Sequence, residues 1–306
     1  MRNIENLTIP RNRIDEILAR YGITASTSPS TLWSAAWKAQ KQKLWKAFFH
    51  KQLKRLRRKN STNGQQEILS AYSAQWQKKV FSRYEPKTTP GGAPWEWGDL
   101  KWTISNEGGA AIRLVYLEEV LRNLNPASVL EVGAGNGINL LMLASRFPEI
   151  SFAGVEPTEG GFRTAQAAIQ EGVLPESLVQ FAPFAVQSTS SVAGIRMVQE
   201  SAQKLSFPTA SVDVVMTSLA LEQMEQIRHE ALTEIARVAK DWVVMLEPFK
   251  EVNSKGLKRL YVDTYDYFQG AISELKDYGM QVEKIYFDMP HKSILGTALV
   301  IARRVR

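Results

Sequence analysis

Val129-Leu-Glu-Val-Gly-Ala-Gly-Asn-Gly-Ile-Asn-Leu-Leu-Met-Leu-Ala144 reads as an apolar strand, a glycine loop and an apolar helix in immediate succession. Glycines at 133, 135 and 137 tolerate positive φ and place no Cβ atoms between a ligand and the backbone. The helix that follows offers free N–H groups in its first turn. Such a loop seats a cofactor. A dinucleotide fingerprint needs a glycine at 138, where Ile138 stands, and the acid Glu131 lies ahead of the first glycine. The spacing argues against NAD and for a close-fitting adenosyl ligand.

Glu131-x-Gly133-x-Gly135-x-Gly137 closely resembles motif I of class I S-adenosylmethionine-dependent methyltransferases, in particular the group typified by ubiquinone and menaquinone methylating enzymes. Three further segments stand in the order this family requires, so the resemblance spans residues 105 to 306. Phe152-Ala-Gly-Val-Glu156-Pro157 reads as a second strand ending in an acid, 19 positions past Gly137. The resemblance makes Glu156 the carboxylate that accepts both ribose hydroxyls. Met197 to Phe207 resembles the third strand and the loop whose acid partners the adenine amino group; Ser201 occupies that place, with Gln203 and the backbone of Ala202 beside it. Val212 to Gln223 resembles the fourth strand and the loop where the transferred methyl group faces the acceptor. The resemblance thus implies S-adenosyl-L-methionine as cofactor, held by Glu131, Gly133, Gly135, Gly137, Glu156, Ser201, Ala202 and Thr217. It also implies an α/β fold: a Rossmann-like seven-stranded sheet with a reversed last strand and helices on both faces.

With 306 residues, 44% hydrophobic and 23% charged, the chain has room for one large domain and an appendage. No apolar run approaches the length of a membrane span, and Met1-Arg-Asn-Ile-Glu-Asn lacks an apolar signal core, so the expected location is cytoplasmic. The absence of cysteine excludes disulfides, thiolate zinc sites and a cysteine nucleophile. No histidine or acidic cluster suggests a divalent metal site, and none is expected.

The net charge of +7 is concentrated: from Tyr21 to Gln66 there are ten lysines and arginines and no acid. Trp33, Trp37, Leu44, Trp45, Phe48 and Phe49 recur there at helical spacing among the lysines, between a start at Ser28-Pro-Ser-Thr and a stop at Lys59-Asn-Ser-Thr-Asn-Gly64. Three readings of this basic amphipathic helix compete: a lid on the catalytic domain, a peripheral membrane anchor, and a polyanion-binding arm. In the last two, residues 33–59 meet an anionic membrane or a nucleic acid. Glu85 to Pro94, with three prolines and two glycines, reads as a linker without regular structure. It divides a basic helical extension, 1–94, from a methyltransferase domain, 95–306. Trp95, Trp97 and Trp102 either close over cofactor or substrate or dock the linker on the core.

Beyond Trp102, a helix from about Gly109 to Arg122 is followed by alternating strands and helices, which implies a parallel sheet covered on both faces. Trp242 to Pro248 is the fifth strand, and 281–288 with 297–302 form a closing hairpin. Leu174 to Gly194 is longer than a normal loop and is expected as an insertion near the cofactor end. Ligands in such sheets bind beyond the carboxyl ends of the strands. That filter selects Thr217, Ser218, Glu222 and Gln223, Glu247, the turn 290–293 and the stretch 253–267 with Tyr261, Asp263, Tyr265 and Tyr267.

Among these, His291 and Glu222 are the candidate catalytic bases for a hydroxyl acceptor. His229 belongs to a packed amphipathic helix, His50 to the basic helix, and Asp213 to a strand start where it contacts neighbouring backbone. The loop after the fourth strand reads Thr-Ser-Leu-Ala, which differs from the Asn/Asp-Pro-Pro-aromatic signature of adenine N6 and glutamine methylation. The leading expectation is O-methylation of a small-molecule, lipid-linked or glycan acceptor. Nucleic-acid methylation through the basic arm and a catalytically silent cofactor-binding scaffold are the alternatives.

Overall fold

The computed structural model describes residues 7–21, 23–57, 70, 73, 81–84 and 92–305. Short aliphatic runs make the parallel strands, each closed by residues that cannot extend it. Strand β3 (Ser128–Val132) ends at Gly133, and β4 (Ser151–Val155) at Glu156-Pro157. Strands β5 (Arg196–Val198), β6 (Val212–Ser218) and β7 (Ala239–Glu247) complete the parallel set. β8 (Met280–Tyr286) and β10 (Ala298–Arg304) form the expected closing pair, and β10 runs antiparallel to both β7 and β8. The order is β5-β4-β3-β6-β7-β10-β8, so the last strand is the reversed one. The chain leaves β3 towards β4 and β5, then returns to lay β6 on the other side of β3. Its topological switch point lies between the ends of β3 and β6, where such sheets bind ligands.

Eight α-helices are described: α1 (Arg11–Arg20), α2 (Thr31–Arg57), α3 (Asn106–Leu124), α4 (Ile138–Arg146), α5 (Glu159–Gln170), α6 (Glu176–Phe181), α7 (Arg228–Val238) and α8 (Gly256–Tyr265). Ser105 caps α3 through Gly108 N–H, and Thr158 caps α5 through Gly161 N–H, the side-chain oxygen accepting in both. Helices α1, α3, α4 and α5 cover one face of the sheet; α7 and the 3-10 segment Ile272–Tyr278 cover the other. Asp213 accepts from the N–H groups of Ala127 and Ser128 and pairs with Lys240, the structural role its sequence position suggested.

Three expectations change. Ala93 and Pro94 belong to a strand rather than a linker: β1 (Ala93–Trp97) pairs with β2 (Leu100–Ile104) and with the two-residue β9 (His291–Lys292) in a second, antiparallel sheet. Pro94 is tolerated because it sits near the strand start and contributes its carbonyl, which accepts from Ser293 N–H at 2.9 Å. Residues 85–91 of the proposed linker and the proposed helix stop at 59–64 lie outside the described residues. The segment 174–194 links the end of α5 to the start of β5, so most of it serves the opposite end of the sheet. Gln187 and Ser188 N–H groups bond the Ser145 carbonyl at the last turn of α4, and only Phe181 approaches the glycine loop, through Tyr84.

The third change concerns the N-terminal helices, which are packed into the 95–306 fold. Ile14, Ile17 and Leu18 of α1 are buried in the same core as α3, and Arg20 donates to the carbonyls of Phe181 and Ala182. Burying each such aliphatic side chain contributes about 1.5–3 kcal/mol. A buried acid joins the two helices: Glu118, fully inaccessible, receives Arg13, Arg122 and Arg146. Burial alone would push its pKa up, but the three guanidiniums hold it below the usual carboxylate range. Its stabilising effect is therefore full above the ordinary glutamate pKa and fades as pH falls through the depressed value. Glu118→Gln leaves the arginines facing one another, and the expected cost at neutral pH is about 2–3 kcal/mol, reduced from a fully buried pair because Arg122 remains nearly half exposed. Thermal unfolding across pH checks this: the gap from the parent must shrink under acid conditions.

Candidate cofactor and acceptor site

Gly133, Gly135 and Gly137 all adopt positive φ, at 79°, 57° and 78°. Gly137 is the N-cap of α4 and caps with no side chain, so the first turn of that helix faces the loop with its N–H groups uncovered by a capping residue. At Gly133 a Cβ would lie 2.5 Å from the Ala220 Cβ, so a side chain there would push the β3 and β6 loops apart. The β6 loop is itself forced: Leu219 has φ 53°, and the fully buried Glu247 accepts from Ala220 N–H at 3.0 Å to hold the bend. Burial, followed by the charge of Glu222, pushes the Glu247 carboxyl up to about 8. Glu247 braces a loop and does not face an acceptor. Thr217 has no exposed surface and abuts Glu247, so its side chain belongs to the same brace and makes no surface for a cofactor.

On the other side of the switch point, Glu156 ends β4 with its carboxylate turned onto the glycine loop. Oε2 accepts from Gly135 N–H at 2.8 Å, and Oε1 from Thr158 N–H at 3.0 Å. Glu131 is buried under the loop. One oxygen accepts from Asn139 at 2.7 Å, and the other has no partner. Burial pushes the Glu131 pKa up to about 8, and the nearby Glu156 charge adds to the rise. Ser201 and Ala202 lie in the turn after β5, where the Ser201 hydroxyl accepts weakly from Gln203 N–H at 3.3 Å.

Facing this cradle is a second set of side chains. Trp95 packs against Gly109 of α3, where a Cβ would lie 2.5 Å from its ring. Lys292 is the direct cross-strand partner of Trp95, so the two side chains share a face of the small sheet. Arg113 lies one turn beyond Gly109 on the same face of α3. Arg113 is enclosed by protein on most sides yet keeps accessible surface, as does Lys292, so both border a partly open hollow. Burial pulls both pKa values below their ordinary values, and for Lys292 the Arg113 charge adds to the effect. Glu222, in the turn after β6, acts electrostatically on Arg113, Lys292 and Tyr261 alike. Tyr261, pushed up to about 12 by burial, heads a cluster with Tyr265 and Tyr267 at ring separations of 4.7 and 5.5 Å.

Of the two proposed bases, Glu222 stands in this hollow and His291 does not. Successive residues of a strand point to opposite faces. Lys292 therefore takes the inward position, while His291 turns out to Lys258 and Glu96, at 3.5 and 3.9 Å. Burial and the Lys258 charge lower its pKa. His50 is exposed, and His229 is an exposed helix residue beside Tyr278. Trp95 and Trp102 are core residues, and Trp97 donates to Asp288 at 2.6 Å, so the tryptophans dock β1 and β2 on the domain. Arg113 and Lys292 escaped the sequence reading because only the β1–β9 pairing brings them together.

Residues 130–244 match the methyltransferase-domain family. That segment is a methyltransferase domain. No curated protein matches the chain in sequence. Among solved structures, magnesium protoporphyrin IX methyltransferase from Synechocystis PCC 6803, with bound SAM, superimposes at TM-score 0.51 and 13% identity, covering 80% of this chain and all (100%) of the other. Geranyl diphosphate C-methyltransferase from Streptomyces coelicolor A3(2), in complex with Mg2+, geranyl diphosphate and S-adenosyl-L-homocysteine, gives TM-score 0.51 at 12% identity, covering 81% and 100%. Both share the fold of this methyltransferase domain.

The residues present fit the cofactor. The glycine loop is a surface without side chains, Glu156 stands at the end of β4 with carboxylate lone pairs for hydroxyl donors, and the unpartnered oxygen of Glu131 suits a cationic ammonium. Binding a cation there requires ionised Glu131, whose free-state pKa of about 8 leaves it mostly protonated at neutral pH. Uptake of S-adenosylhomocysteine should therefore release a proton, and affinity should weaken about fivefold between pH 8 and pH 7. Calorimetry in buffers of different ionisation enthalpy measures the release, and Glu131→Gln should flatten the pH dependence.

Proposed function

We propose that this chain transfers a methyl group from S-adenosylmethionine to a hydroxyl oxygen of a small organic acceptor. The observation that carries the reading is the position of Glu222, across the switch point from the glycine cradle and within electrostatic reach of Tyr261, Arg113 and Lys292. When bound, the cofactor supplies a methyl carbon already activated by its sulfonium. Much of the rate then comes from holding the acceptor close and aligned. Glu222 accepts the hydroxyl proton, and Tyr261 and its neighbours shape the wall that keeps water out.

Helix α2 closes the acceptor side. Its Leu44 packs with Val262 of α8 and with Ile294 and Leu295, while Lys51 donates to the carbonyls of Asp263 and Thr264 and pairs with Asp266. These contacts favour the lid reading. On its outer side, Trp45, Phe49 and Leu53 recur every fourth residue and are 43%, 59% and 51% exposed, beside the exposed Lys43 and Lys46. Among the described residues no helix is long and apolar enough to cross a membrane. An apolar stripe edged by lysines suits the headgroup boundary of an anionic surface, so we assign α2 a second task as a peripheral membrane contact.

Two experiments follow. S-adenosylhomocysteine should bind the purified chain with micromolar affinity in a calorimeter, and Glu222→Gln should keep that affinity while lowering kcat by about a hundredfold or more; no binding would defeat the reading, and unchanged kcat would remove Glu222 as base. In a vesicle sedimentation assay, phosphatidylserine vesicles should retain the protein and phosphatidylcholine vesicles should not, with Trp45→Gln plus Phe49→Gln abolishing retention. Salt-sensitive RNA binding without vesicle binding would replace the membrane by a nucleic acid.

A further inference from the structure

Arg113 and Lys292 are enclosed charges that the fold alone does not explain. Other partly buried arginines are engaged: Arg13 and Arg146 on Glu118, and Arg237 on Glu234. Neither Arg113 nor Lys292 forms a hydrogen bond or a contact ion pair through its side chain with a described residue. The fold nonetheless drives them together. Trp95 is seated on Gly109, Lys292 is its cross-strand partner, and Arg113 follows Gly109 by one helical turn. Holding two cations in a low-dielectric hollow costs free energy unless a compensating charge arrives. Glu222 acts on both at longer range but carries one charge against two, and Tyr84 and Tyr261 are neutral, so the described residues leave the pair with a surplus positive charge.

We propose that Arg113 and Lys292 form an oxyanion subsite for the acceptor, which bears a carboxylate or phosphate group apart from the hydroxyl that is methylated. This deepens, and rests on, the methyltransferase reading given above. A guanidinium offers a planar fork and an ammonium a mobile point charge, a pair that grips either anion from two sides. The anion is a handle. Fixed between α3 and β9, it leaves the rest of the acceptor to reach Glu222, and an uncharged analogue is rejected because it would leave both cations without a partner.

The test titrates benzoate, phenyl phosphate and neutral benzamide into the full-length protein saturated with S-adenosylhomocysteine. One of the two anions should bind and benzamide should not; the anion preferred distinguishes carboxylate from phosphate. Arg113→Gln and Lys292→Gln should each weaken anion binding by about tenfold or more, with homocysteine-ligand affinity unchanged, while Lys292→Arg retains it. The subsite is refuted if neither anion binds the loaded protein, if benzamide binds as tightly as the anions, or if both glutamine variants bind like the parent. The benzamide comparison uses the parent protein alone, so it decides the matter even if a variant fails to fold. Failure of S-adenosylhomocysteine itself to bind is a separate result, and it would overturn the methyltransferase reading together with this one.

Discussion

The approach of Gly133 to Ala220 is the contact on which the functional half of the molecule depends. It brings the loops after β3 and β6 together at the switch point of the sheet, leaving no room for a Cβ between them. With the loops so placed, the glycine cradle, Glu131 and Glu156 fall on one side and Glu222 on the other. The bend that makes the approach possible is held by Glu247, a carboxyl group buried at a strand end that accepts from the Ala220 N–H.

Much of this was legible in the sequence. Motif spacing located the loop, the acid ending β4 and the strand order, because each depends on residues close together in the chain. What escaped depends on pairings between distant segments. The two-residue strand β9 has no periodicity to read, yet its register on β1 decides that Lys292 faces inward and His291 outward. A shift of one residue would exchange them. Arg113 looks like an ordinary helix residue until Trp95 is known to sit on Gly109. Prolines and glycines before Trp95 read as a linker, and that reading hid the short strand that begins at Ala93. The 174–194 stretch was misplaced for a related reason, since its length says nothing about which end of the sheet it returns to.

Charge placement follows one rule throughout. Where geometry surrounds a buried ion with opposite charges, as at Glu118, it stabilises the fold. Where a buried group is left without such partners, as at Glu131, Arg113 and Lys292, the cost is concentrated around the site. Folding energy given up there becomes selectivity for ligands of the complementary sign.

The contact between α2 and α8 also has a bearing on how the chain is made. Lys51 and its carbonyl partner in Asp263 are 212 positions apart. During synthesis from the amino end, Leu44 and its apolar neighbours on α2 emerge long before Val262, Ile294 and Leu295 exist to cover them. The nascent chain must carry an uncovered, strongly basic helix until residues 262–295 have been translated. That interval makes α2 a natural client for chaperones, and its high positive charge keeps growing chains apart while the helix waits for its partners.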